Sequence, residues 1–190
     1  MLSLRATATP SGWEDALLVW RLRAGSGPAL ARIYEKHRHG LLRIALGLLA
    51  DPDAAEDVVQ DVFLRIARDP GIVRGDGNLR AFLATCVANH ARNTNRGIGR
   101  RGAPGDTQPD DIPGPDASPA HWLVRHDDML TVTAALAELP EEQREAVVLH
   151  LQGGMRFREI AAATGTSINT IHSRYRYALA KLSESMKEDA

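Results

Sequence analysis

Apolar residues return every three or four positions along most of this chain, the interval that places them on one side of a helix. Trp13, Ala16, Leu17, Trp20 and Ala24 form the first such stripe. After a Gly25-Ser26-Gly27-Pro28 turn, Leu30, Ile33, Tyr34, His37, Leu41, Ile44, Ala45 and Leu48 form the second. Asp51-Pro52 supplies a cap and a first-turn proline for a third helix, with Asp53 and Glu56 as a capping pair. Its buried stripe is expected to be Ala55, Val58, Val59, Val62, Phe63 and Ile66, and its end to fall near Asp69-Pro70. Asn78 then caps a fourth helix whose inward face is Leu79, Phe82, Leu83, Cys86, Val87 and Ala91.

Between residues 97 and 119 this periodicity stops. Gly, Pro and Asp dominate, and Asp106, Asp110, Asp111 and Asp116 give the segment an acidic cast, which reads as a flexible linker. Periodicity resumes with Trp122, Leu123, Met129, Leu130, Leu136 and Ala137. Pro140 opens a further helix carrying Val147, Val148 and Leu151, which Gly153-Gly154 stops, and two more helices follow. No strand-like alternation and no fixed-period repeat is present. The expected architecture is all-α: a helical module over 13–97, a tether over 98–119 and a second module over 120–186.

The totals narrow the classes of function. A chain of 190 residues with 44% hydrophobic and 25% charged positions has the make-up of a soluble globular protein. Net charge is −1, so an attraction for polyanions must come from charges sorted along the chain. One cysteine, Cys86, excludes an internal disulfide and fits a reducing compartment. The first twelve residues lack an apolar leader core, and the greasiest stretch, 41–50, is too short to cross a bilayer and holds Arg43. A soluble, cytoplasmic protein without membrane insertion is expected. There is no Gly-rich phosphate loop, no metal-ligand cluster and no base spaced to activate Cys86, so neither catalytic residues nor a metal or cofactor are expected. Cys86 reads as core packing, and His37, His39, His121 and His126 as helix-face residues.

The last two helices carry the first functional signal. Phe157 to Thr164 is a short helix, Gly165 suits a sharp turn, Ser167 caps the next helix, and Ala161 is small enough to let the pair cross closely. On the second helix Ile171, Tyr175, Ala178 and Leu182 share one face, with Asn169, His172, Ser173 and Arg176 opposite. Arg and Asn can bond guanine and adenine in bidentate fashion, while Thr170 and Arg174 at the margin suit phosphates. No acid occurs from Ile160 to Ser183 to repel a DNA backbone. A solvated amphipathic helix is the competing reading.

Charges are also sorted in the first module. Asp51, Asp53, Glu56, Asp57 and Asp61 crowd the third helix, whereas residues 77–105 hold Arg80, Arg92, Arg96, Arg100 and Arg101 without an acid. Arg92 and Arg96, with Asn89 and Asn93 beside them, could hold phosphates and exposed base edges of a single strand. A basic helix end that complements the helix dipole accounts for the same residues equally well.

Taken together, Asp15-Ala16-Leu17-Leu18 through Leu22-Arg23-Ala24-Gly25, and Ala55-Glu56-Asp57-Val58-Val59-Gln60-Asp61-Val62-Phe63-Leu64, resemble the first module of bacterial sigma factors of the extracytoplasmic-function (ECF) class of the sigma-70 family. Leu139-Pro140 with Gln143-Arg144, Phe157-Arg158-Glu159-Ile160-Ala161 and Thr170-Ile171-His172-Ser173-Arg174 are similar to that family's promoter-binding module. The resemblance implies a transcription initiation factor that binds core RNA polymerase and promoter DNA, with an anti-sigma protein as a further partner. It implies that Asp57, Gln60 and Asp61 dock on the polymerase clamp helices. The loop from Ile72 to Asn78, with Asn89, Arg92, Asn93 and Arg96, would capture the melted minus-ten strand. Asn169, Thr170, His172, Ser173, Arg174 and Arg176 would read the minus-thirty-five duplex. Asn93, His172 and Tyr177 depart from residues frequent at these places in the family. An ordinary helix-turn-helix regulator is the main rival, separable by whether the chain binds duplex DNA without polymerase.

Overall fold

A computed structural model describes residues 11–73, 78–100 and 127–188. Among these, every regular element is helical: α1 Ser11–Arg23, α2 Gly27–Leu49, α3 Pro52–Arg68, a single 3-10 turn Pro70–Ile72, α4 Leu79–Arg100, α5 Asp127–Ala137, α6 Glu141–Leu151, α7 Phe157–Thr164 and α8 Ile168–Glu188. Most of the expected linker, and Trp122 and Leu123 beyond it, lie outside the described residues, as do His121 and His126. α4 runs three residues into that expected linker, to Arg100.

Local chemistry sets the helix starts. Asp51 Oδ1 accepts from the amides of Asp53 at 3.0 Å and Ala54 at 3.3 Å, satisfying two of the donors that a helix leaves open at its first turn. The expected Asp53–Glu56 capping pair is not what forms, because Asp51 fills the cap and Glu56 instead accepts from Arg38 of α2 at 3.2 Å. Asn78 Oδ1 accepts from Ala81 N at 3.3 Å and so caps α4. In α3 the stripe Ala55, Val58, Val59, Val62, Phe63 and Ile66 is buried throughout, against α2 and α4.

α1 turns out the other way. Its buried residues are Asp15, Leu18, Val19 and Leu22, while Trp13 and Trp20 are 57% and 68% exposed. The helix is apolar on two sides, and the side carrying an acid is the inner one. Asp15 tolerates that position because Lys36 of α2 donates to its Oδ1 at 2.6 Å, which compensates the buried carboxylate. His37 lies next to this pair, Nε2 3.4 Å from Asp15 Oδ1, and burial pushes its pKa down despite the nearby carboxylate.

The centre of the molecule is the second half of α2. From Leu41 to Leu48 only Arg43 is exposed, so this stretch is apolar nearly all round and needs cover on all sides. α3 and α4 pack on it from the first module, and α5 and α6 from the second. The two modules therefore share one contiguous hydrophobic cluster, in which Leu42, Leu83, Val148, Leu149, Ile160 and Ala178 are all within 2% of full burial.

Candidate nucleic-acid interface

α7 and α8 meet at Gly165, whose φ of +66° lies in the left-handed region that a glycine enters without steric cost. Ser167 Oγ accepts from Thr170 N at 3.0 Å and fixes where α8 begins. Ile160, Ala161, Ile171 and Ala178 bury the seam between the two helices. An aromatic wedge adds to it: the Phe157 ring stacks on His150 of α6 at 4.3 Å and meets Tyr175 of α8 edge-on at 5.2 Å. His150 Nδ1 stands 2.8 Å from the Met155 carbonyl, an acceptor only, so this nitrogen carries the proton.

With its inner face pinned, α8 turns Asn169, His172 and Arg176 to solvent. Arg176 is steadied by the Tyr177 ring, 5.4 Å from its guanidinium carbon. The His172 ring lies 4.3 Å from Phe157. Thr170, Ser173 and Arg174 sit at the half-buried margin. Thr170 Oγ1 is 2.8 Å from Ser167 Oγ, and Arg174 is 3.5 Å from Glu142 of α6. The outward residues are thus free to bond bases, while the marginal ones are partly engaged by the protein.

In the first module, Asn89, Asn93 and Arg96 are exposed along α4 and Arg92 is half-buried. Arg92 donates to Asn89 Oδ1 at 3.0 Å and also pairs with Glu145 of α6. Asn78 stands eleven positions before Asn89, roughly 16 Å along the axis, so it does not join that cluster. Residues 74–77 of the expected strand-binding loop lie outside the described residues. Between α3 and α4 opens a groove of about 320 Å³, with Ile72, Phe82 and Cys86 apolar and Asn89, His90 and Asn93 polar along its lining. An aromatic ring beside amide side chains is the chemistry that holds an unstacked base. Cys86 is packing material here: burial pushes its thiol pKa up, with Arg65 opposing.

Asp57, Gln60 and Asp61 project from the exposed face of α3. Partial burial, then repulsion from Asp61, Asp53 and Asp51, pushes the Asp57 carboxyl pKa up. Asp61 lies 3.5 Å from His90 and lines the groove, so the acidic ridge and the groove adjoin. Sequence reasoning passed over Glu145. Its signal was an acid in register with Val148 and Leu149, on the inner side of α6. Among the described residues, no group of three His, Cys, Asp or Glu side chains could hold a metal ion.

Comparison with known proteins matches this arrangement. The family described as Sigma-70 region 2 matches residues 33–101, and Sigma-70, region 4 matches residues 129–182. The ECF RNA polymerase sigma factor SigL of Mycobacterium tuberculosis is 31% identical over 167 residues, 87% of this chain and 93% of the relative. Among solved structures, CnrH in complex with the cytosolic domain of CnrY superposes with a TM-score of 0.70 at 25% identity, covering 93% of this chain and 99% of that one. The sigma factor RpoE in complex with the anti-sigma factor NepR, from Bartonella quintana, superposes with a TM-score of 0.59 at 27% identity, covering 84% and 99%.

Proposed function

The chain belongs to the sigma-70 family of RNA polymerase sigma factors, in its extracytoplasmic-function class, and on that footing we propose how its surfaces divide the work. As a member of that class it binds core RNA polymerase, recognises promoter DNA and promotes transcription initiation. An anti-sigma protein is a partner of the kind that the Bartonella structure holds. The chain supplies binding energy and selectivity, and the bond-forming chemistry belongs to the polymerase. It works in the cytoplasm, on the nucleoid, and among the described residues no helix is long and apolar enough to cross a membrane.

Asp57, Gln60 and Asp61 dock on basic residues of the polymerase clamp helices, where an external cation relieves the repulsion along this ridge. Asn89, Arg92, Asn93 and Arg96 hold the melted minus-ten strand, with one unstacked base in the groove beside Phe82 and with Asn78 further along the strand. Asn169, His172, Ser173 and Arg176 read base edges of the minus-thirty-five duplex, while Thr170 and Arg174 take phosphates. The observation that carries this reading is the outward face of α8, where Asn169, His172 and Arg176 are exposed on a helix anchored by Ile171 and Ala178.

Two weak contacts become strong when polymerase fixes their separation, because the first raises the effective concentration of the second. Purified chain alone is therefore expected to retard promoter duplex poorly, and to do so well once core polymerase is added. Tight, selective binding without polymerase would favour an ordinary regulator. Arg176→Ala is expected to cost about 1 to 3 kcal/mol at one upstream base pair. In a binding series over single-base promoter variants, equal loss on every sequence would move Arg176 to a phosphate role.

A further inference from the structure

Tyr177 has no place in the core. It is 57% exposed, whereas Tyr175, two positions earlier on α8, packs against the hydrophobic cluster. Among the described residues the partner of its ring is Arg176, whose guanidinium carbon lies over the ring, 5.4 Å from the centroid. Adjacent positions on a helix do not face each other, so the two side chains must lean together to meet. Tyr177 follows Thr170 and Ser173 at helical spacing. The ring therefore stands on the margin given to phosphates and leans from there onto the reading face. The other cations of this helix are engaged elsewhere: Arg174 lies 3.5 Å from Glu142, and Lys181 donates to the Glu138 carbonyl at 2.8 Å. Arg176 shares the outward side with Asn169 and His172, and no acid occurs from Ile160 to Ser183 to draw it away.

We propose that Tyr177 is the positioning residue for Arg176, its ring holding the guanidinium so that the open N–H edge meets a guanine of the upstream duplex. A guanidinium is a flat ion with five donors in its plane and no acceptor. A ring attracts such an ion through its face, which leaves the donors at the edge unspent. Two of those donors match O6 and N7 of guanine, whereas adenine offers an acceptor and a donor at the same places and is rejected. A long side chain loses rotamer freedom when it binds, and a ring that has already restricted it lowers that loss. The pair thereby sharpens the choice of one base pair and adds no contact that every sequence would share.

The proposal rests on the assignment of Arg176 to a base edge, and the experiment separates the two. Holoenzyme reconstituted from core polymerase and the full chain is titrated, by fluorescence anisotropy, against labelled promoter duplexes that differ at single upstream base pairs. The wild type is expected to lose about tenfold in affinity where one particular G·C pair is replaced. Tyr177→Ala is expected to lower that preference about threefold, the scale of an exposed cation–π contact. Tyr177→Phe keeps the ring and should keep the preference. In an Arg176→Ala background, Tyr177→Ala should change nothing further, because a positioning residue acts through the residue that it positions. Full preference in Tyr177→Ala overturns the proposal. So does a Tyr177→Phe variant that behaves like Tyr177→Ala, which would put the hydroxyl, not the ring, to use. If Arg176→Ala still abolishes the preference at that pair in either case, the base contact stands and the positioning role alone is lost. If Arg176→Ala costs the same on every sequence, both fall.

Discussion

Reversing Asp57 and Asp61 together to lysine is expected to abolish co-purification with core RNA polymerase while leaving the fold intact. Both side chains are exposed on α3, opposite the stripe that the core buries. The substitutions therefore remove no packing, and they relieve the repulsion among acids that, after partial burial, pushes the Asp57 carboxyl pKa up in the wild type. At the proposed docking surface the sign of two contacts is inverted. Close charge pairs across an interface couple by about 1.5 to 7 kcal/mol, so losing two and adding repulsion is expected to weaken association by at least about a hundredfold. The melting temperature should not fall. Unchanged co-purification would remove the ridge from the polymerase interface.

Ile160→Ala is expected to uncouple the two ends of the molecule. Ile160 is fully buried between α7 and α8, and truncating such a side chain leaves a cavity costing about 2 to 5 kcal/mol. α7 holds α8 at its angle through this contact and the Phe157 wedge, so the loss falls on the helix that presents Arg176. Denaturant titration should show the stability drop, and binding to minus-thirty-five duplex should weaken with it. Polymerase docking through α3 should persist, because that ridge lies in the other module. A stability change below about 1 kcal/mol would contradict the packing described.

Elements whose apolar stripe has one possible inward face were legible in the sequence. α3 is the clearest, with a side-chain cap at Asp51 and a stripe that is buried residue for residue. α7, its Gly165 turn and the Ser167 cap of α8 were equally readable, because positive φ and first-turn capping are local demands. α1 was not, since Trp13, Leu17 and Trp20 compose as good a stripe as Leu18, Val19 and Leu22. The inner face also carries Asp15, and the Lys36 that compensates it lies 21 positions away in sequence. The Asp53–Glu56 cap failed for a related reason, because Glu56 found a partner on α2.

For the candidate site, periodicity and charge sorting marked the exposed residues of α3, α4 and α8, but not what faces them. Arg92 reads as a free basic residue in sequence, yet Glu145 meets it from 53 positions away. Arg144 reaches Leu48 across 96. The apolar density of 41–50 was the one sign of this closure: a helix covered on one side alone would have no use for it.

Run-off transcription with reconstituted polymerase tests the central claim most directly. Core enzyme plus this chain is expected to start RNA at a small set of sites, each with a common upstream element, and to lose those starts when Arg176 and Arg92 are both replaced by alanine. Start sites that are no more selective with the chain than without it would contradict the account.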